Sequence, residues 1–379
     1  MARASDQKTH LKSAGGVDLA DGSSVMGWVW GAVVLAMMGL IAYHAQTGTA
    51  SPRVANPEVT GAPRPVEYLF GLGDSFWVTF NEWGTVLLMV TLFVMCVVGW
   101  RRRPGNPIVL MTIASTAIVW QDPIMNWAPF AVYNPELWHW PQDWPLINLS
   151  PTVEPFIVIG YAAFYFGPFF PAMALLHRLQ QGRSPDAFIW RHPLIALAVL
   201  IYVIGFFMDM MLEVTMIQTG LYIYSQVPPF GSIFVGTPFQ FPLIWESSLV
   251  TLVMIPAGIL CYRDDTGRTQ AEKLAQKLRV FGARPMLATF LVMFGILNIA
   301  YFTYGSAFAI LKSGHFSTAV ACPWPYPETR VYDPQGYYER EGQVGPYFEG
   351  KWATWPSGMP GGRPTNIEPV TSGRCSANL

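Results

Sequence analysis

Long apolar stretches separated by short polar ones dominate the chain, and their lengths predict helices that cross a membrane. A spanning helix needs roughly 20 mostly apolar residues. Seven stretches approach that length: residues 25–43, 83–100, 107–120, 156–176, 193–212, 242–262 and 285–311. The first is free of charge and contains Trp28 and Trp30. The second stops at Arg101-Arg102-Arg103-Pro104, and the third, short for a full span, reaches a break at Asp122-Pro123. Pro168 and Pro171 are expected to kink the fourth. The predicted fold class is all-α: a polytopic transmembrane helical bundle of about seven spans with Pro/Trp-rich outer loops. It divides into a segment 1–24, a helical domain 25–311 and a tail 312–379.

Composition supports the pattern and narrows it. Hydrophobic residues make up 52% of the chain and charged ones only 12%, about half the usual share for a soluble domain. That combination also excludes a disordered chain. A net charge of −1 provides no basic patch, so no nucleic-acid partner is expected. The implied partners are the lipid bilayer and a hydrophobic small molecule, with the oligomeric state left open.

The placement of Lys and Arg predicts orientation. Segment 1–24 and the connections after spans two, four and six hold fifteen of them, against two, Arg53 and Arg64, on the opposite side. The tail holds six more. The N-terminus is expected in the cytoplasm of a cell with this protein in its inner (plasma) membrane, and the tail outside. A cleaved signal peptide at span one is the alternative; it would leave six spans with the same orientation. Cys96 and Cys261 fall at cytoplasmic span ends. Cys322 and Cys375 fall in the outer tail, where a disulfide between them is permitted, although two free thiols fit the spacing equally.

Two outer connections carry more than linkers need. Residues 122–155 contain seven prolines, four tryptophans and no Lys or Arg. Proline at that density excludes a continuous helix, and irregular backbone near lipid must be satisfied by protein or water. A structural cap on the helix ends and a lid over an outward-facing pocket both fit. Residues 213–241 are likewise aromatic and free of cations.

Ionisable residues within spans are costly and are read first as functional candidates. Asp122 closes span three, with Asn126 four residues on, and Glu154 precedes span four. Asp209 and Glu213 share one helical face at the outer end of span five. Glu246 lies one turn into span six, and Asn298, Tyr301 and Tyr304 follow successive turns of span seven. Five carboxylates thus share an outer depth, with no Lys or Arg in the loops between spans three and six. Mutual repulsion and burial favour keeping a proton on some of them, the arrangement acid/base catalysis uses. His139 is the best-placed histidine to assist.

Other readings compete. Single acids could cap helices, and Asp122 before Pro123 is a natural turn residue. The acids could form a proton or ion pathway. Acids with histidine could bind iron or zinc, but the Glu-x-x-His repeats of di-iron bundles are missing, so no metal is expected. The chain also lacks a Walker motif, GxSxG and a dinucleotide fingerprint, so no cofactor is expected.

The stretch from Trp120 through Gln121, Asp122, Pro123 and Asn126 to Trp127, then Tyr133-Asn134-Pro135 and the Trp/Pro run to Pro155, resembles the AveC-like spirocyclase family of actinobacterial membrane proteins. The similarity spans about residues 25–315, and Asp-Pro-x-x-Asn is its most recognisable part. The resemblance implies spiroketal closure from a dihydroxy-ketone, or an associated dehydration, by proton transfer without a redox cofactor. Joined to the residue pattern, it assigns Asp122 and Glu246 as the acid/base pair and Asp209, Glu213 and Glu154 as tuning groups. Asn126, His139, Tyr133, Asn134, Asn298, Tyr301 and Tyr304 would contact substrate oxygens. The rival classes are a non-catalytic protein that binds or moves a lipid or small molecule, and a structural subunit of an envelope complex.

Overall fold

The structure, a computed structural model, describes residues 69–321 apart from 130, 135, 141–143, 148–149, 279–283, 315 and 318. Span 25–43, the tail beyond 321 and both Cys322 and Cys375 lie outside the described residues. Within them the chain is mostly helical, and six helices are long and apolar enough to cross a membrane.

Helix α1 (Asp74–Arg102) begins earlier than hydropathy alone predicts. The polar residues that blur its start are satisfied locally: Asn81 Nδ2 donates to the Trp77 carbonyl at 2.9 Å, and Thr85 Oγ1 to the Asn81 carbonyl at 2.8 Å. Glu82 accepts from the Trp138 backbone N–H at 2.7 Å. Helix α2 (Pro107–Ala117) opens on an Asn106 cap, whose side chain accepts from the Ile108 N–H at 3.1 Å, with proline where no N–H is required.

The expected stop at Asp122-Pro123 is instead a change of helical pitch. A 3-10 turn (Ile118–Gln121) passes directly into α3 (Asp122–Trp127), so the span runs Pro107–Trp127. Pro123 sits in the first turn of the new helix, where a missing N–H costs nothing.

The next span is broken as its prolines require. A 3-10 turn (Phe156–Gly160) leads to α4 (Tyr161–Phe166), and α5 (Phe169–Gln180) restarts beyond Gly167-Pro168. The short α6 (Phe188–Arg191) precedes α7 (Pro193–Gln218), which continues past residue 212 and carries Glu213 inside the helix. Helices α8 (Leu243–Leu249) and α9 (Thr251–Cys261) form one span, and α10 (Gln270–Leu278) is an amphipathic helix before the long α11 (Pro285–Ser313). Close approach of α7 to α9 depends on a missing side chain: a Cβ on Gly258 would lie 2.3 Å from Ile201 Cδ1.

The long connections are built into the bundle. Strand β1 (Ala131–Tyr133) pairs antiparallel with β2 (Tyr222–Tyr224), with Ala131 opposite Tyr224 and Tyr133 opposite Tyr222. Strand β3 (Gln226–Val227) pairs with β4 (Ala319–Val320). Gln240 Nε2 ties both sheets, reaching the carbonyls of Tyr224, Ser225 and Ala319 at 2.9–3.2 Å. These bonds satisfy backbone that a helix could not, because the prolines prevent one.

Candidate active site

Asp122 is fully buried where the 3-10 turn meets α3. Its Oδ1 accepts from the hydroxyls of Tyr161 and Tyr301, the latter at 2.8 Å. Its Oδ2 accepts from Asn126 Nδ2 at 3.0 Å, one helical turn away. The same amide nitrogen donates to Glu154 Oε2 at 2.8 Å, and Ser150 Oγ donates to that oxygen at 2.5 Å. One neutral amide therefore clamps two carboxylates from α3 and the loop before α4. Burial, and then the adjacent Asp122 carboxylate, push Glu154 well above the ordinary glutamate range. Such a pair shares a proton because two adjacent charges in a dry site repel.

The other three acids form a second group. Asp209 and Glu213 lie on one face of α7, Glu246 in the first turn of α8, and an oxygen from each lies within 4.8 Å of the others. Tyr304 donates to Glu246 Oε1 at 2.5 Å, and Tyr224 to Glu213 Oε2 at 3.2 Å. Burial, then Glu213, raises Tyr224 well above the usual phenol range. Burial, then Asp122, does the same to Tyr133. Both phenols stay protonated, and Tyr224 acts as a donor.

A cavity of about 380 Å³ joins the groups. Asp122, Asn126, Tyr133, Glu213, Glu246, Tyr301 and Tyr304 all line it, whereas Asp209 and Glu154 stand behind the wall. The rings of Tyr301 and Tyr304 stack at 5.8 Å on α11, and Tyr161 and Tyr165 meet Tyr301 edge-on at 5.9 and 5.5 Å. Apolar residues including Leu88, Phe164, Met208 and Met216 complete the walls.

Three residues expected to contact substrate lie elsewhere. His139 is in an isolated bridge to Pro155, with Nδ1 3.0 Å from the Trp140 carbonyl. Asn134 donates to the Gly220 carbonyl at 2.9 Å and accepts from the Glu136 N–H. Asn298 accepts from Gln121 Nε2 at 2.6 Å and Trp120 Nε1 at 2.8 Å, joining α11 to the 3-10 turn. Conversely, Tyr161, Ser150, Tyr165 and Tyr224 belong to the site without having been singled out. A hydroxyl within an apolar span was the available signal for Tyr161 and Tyr165; Ser150 and Tyr224 arrive by loop geometry that carries no period.

Among the described residues the ion pairs are Arg103–Glu272, Arg191–Asp186 and Lys273–Asp264. None involves the five acids. A family model described as Spirocyclase AveC-like matches residues 100–332 and so includes both groups of acids. No curated protein and no solved structure matches the chain.

Proposed function

The chain belongs to the AveC-like spirocyclase family, and from that premise we propose that it is an integral membrane enzyme catalysing acid/base cyclisation or dehydration of a hydrophobic hydroxy-ketone. The observation that carries this reading is Asp122, which faces the cavity while bonded to two phenols and, through Asn126, to the proton-bearing Glu154. In spiroketal closure a substrate hydroxyl oxygen bonds to the carbonyl carbon, and its proton passes to the Asp122–Glu154 pair. The carbonyl oxygen, protonated once as the first C–O bond forms and again by the same pair, leaves as water and gives an oxocarbenium ion. The second hydroxyl then bonds to that carbon and returns its proton to the pair. Dehydration uses the pair in the same two senses, removing a proton and protonating the departing hydroxyl.

The sequence pattern coupled Asp122 with Glu246. The hydrogen bonds favour Glu154 as the proton partner, which leaves Glu213, Glu246 and their phenols on the opposite wall to position substrate oxygens. The apolar lining suits a polyketide-like or long-chain skeleton. We place the site towards the outer side of the plasma membrane with the N-terminus in the cytoplasm. The excess of Lys and Arg in the connections after spans two, four and six supports that orientation.

Purified protein in lipid nanodiscs, offered a panel of dihydroxy-ketones, should yield products lighter by one water in mass spectrometry. Asp122→Asn should slow that reaction by about 100-fold or more, the usual contribution of a positioned acid or base. Equal rates in wild type and variant would overturn the assignment. The apolar cavity also suits a carrier that binds a lipid unchanged; saturable binding with no product across the panel would favour that second reading.

A further inference from the structure

Three carboxylates meet in the second group, and the atoms left unsatisfied there are specific. Both oxygens of Asp209 and Oε2 of Glu246 are buried with no hydrogen-bond partner. Asp209 is 0% exposed and Glu246 2%. Ser247, beside Asp209, has a buried hydroxyl that also lacks a partner in hydrogen-bond geometry. Buried carboxylate oxygens are normally paired, and an unpaired one is costly. The phenols of Tyr304 and Tyr224 reach Oε1 of Glu246 and Oε2 of Glu213, leaving Oε2 of Glu246 without a partner in hydrogen-bond geometry. No ion pair among the described residues reaches the group.

The spacing suits a cation. Three points separated by no more than 4.8 Å share a centre at most about 2.8 Å from each, close to the 2.3–2.6 Å of calcium–oxygen ligation. Magnesium would draw the same oxygens inward by up to about 0.7 Å. The donors are all hard oxygens, with no sulfur and no imidazole, which selects this class of ion over zinc or copper. Asp209 and Glu213 are held one helical turn apart on α7, and Glu246 is presented by a different span, so the ligands are fixed by the bundle rather than by a loop.

We propose that Asp209, Glu213 and Glu246 bind one hard divalent cation at the wall of the cavity. Glu213 and Glu246 line that cavity, so the coordination positions not taken by protein open towards the substrate space. Resting on the reaction proposed above, the ion would polarise a substrate carbonyl or hydroxyl oxygen, across the cavity from Asp122.

The test reads binding, not turnover, and so stands apart from that reaction. Detergent-purified full-length protein is stripped with chelator and titrated with manganese, followed by electron paramagnetic resonance, with calcium as competitor. One manganese per chain, displaced by calcium and accompanied by a higher melting temperature, is the expected result. Asp209→Asn and Glu246→Gln should each weaken binding at least about tenfold, the smaller cost seen even for groups outside a ligand shell. Asp122→Asn should bind as wild type does. Should the carboxamide variants fail to fold, the wild-type titration decides alone. No stoichiometric binding up to about 1 mM, the weak end for such sites, overturns the proposal. So does equal affinity in folded Asp209→Asn.

Discussion

Replacing Asn126 with leucine removes the amide that joins Asp122 to Glu154 while keeping a side chain of similar size and branching. Two bonds to carboxylates, at 3.0 and 2.8 Å, disappear. A hydrogen bond to a charged group contributes about 1.5–3 kcal/mol and one to a neutral group about 0.5–1.5 kcal/mol, which for a pair carrying one charge sets an upper range of about 2–4.5 kcal/mol. Side-chain bonds measured in membrane bundles average nearer 0.6 kcal/mol, because the unfolded chain in lipid also finds partners. The site decides between the two figures. Asn126, Glu154 and Asp122 are 4%, 1% and 0% exposed, so water cannot replace the amide, while Asp122 keeps the phenols of Tyr161 and Tyr301 on Oδ1. Ser150 still serves Glu154. The expected loss is about 3 kcal/mol, dominated by the bond to the charged Asp122 carboxylate in a dry site. Gln121→Leu is the internal standard. It breaks an equally buried amide contact, but to neutral Asn298, and should cost about 1 kcal/mol. Reversible unfolding in mixed detergent micelles, with both variants under identical conditions, measures the difference. Equal losses in the two would refute the idea that the amide holds a pair of acids carrying a negative charge.

Tyr301→Phe keeps the stacked ring and removes one donor to Asp122 at 2.8 Å; it should cost about 1.5 kcal/mol. If that bond also acts in the transition state, turnover should fall about tenfold, and an unchanged rate would exclude Tyr301 from the chemistry. For Glu154 the raised carboxyl contributes stability in full below its ordinary value near 4.5 and loses it as pH rises towards the folded value. Glu154→Gln does not titrate, so its melting temperature relative to wild type should climb from about pH 5 to pH 8; a flat or falling difference contradicts the assigned proton. Gly258→Ala would drive a methyl to 2.3 Å from Ile201 Cδ1 and should cost about 1–3 kcal/mol. Gly84→Ala, with open space around its Cβ, should gain about 0.5–1 kcal/mol from helix propensity. Thermal melts that rank the two glycines equally would show that the α7–α9 contact is looser than described.

The helices were legible because apolar length is a strong signal and each described span retains it. Their ends were less so. Asn81 and Thr85 look like the edge of a span, yet each bonds to the carbonyl four residues back, which lets a polar side chain sit inside a helix. Asp122-Pro123 reads as a stop, although a proline that opens a new turn breaks nothing. The acids stood out because charge is rare in a span. Their grouping did not, since Asp122 meets Glu154 only through the path of a proline-rich loop, and no periodicity encodes such a path. The same limit applies to His139 and Asn134, whose residue types suit a binding site but whose side chains support backbone instead. Paired strands two or three residues long, such as β1 and β2, are below the length at which alternation can be recognised.

Tyr301 and Tyr304, one turn apart on α11, each satisfy a different buried acid, Asp122 and Glu246. Those acids reside in spans that precede α11 in the chain, and an unsatisfied polar group in hydrocarbon is expensive. During biosynthesis the earlier spans are therefore incomplete on their own, and they find two of their donors only when α11 enters the membrane. The insertion of α11 is then also the moment at which the cavity between the two groups of acids comes into being, so a polypeptide interrupted before it carries acids in its helices without that arrangement.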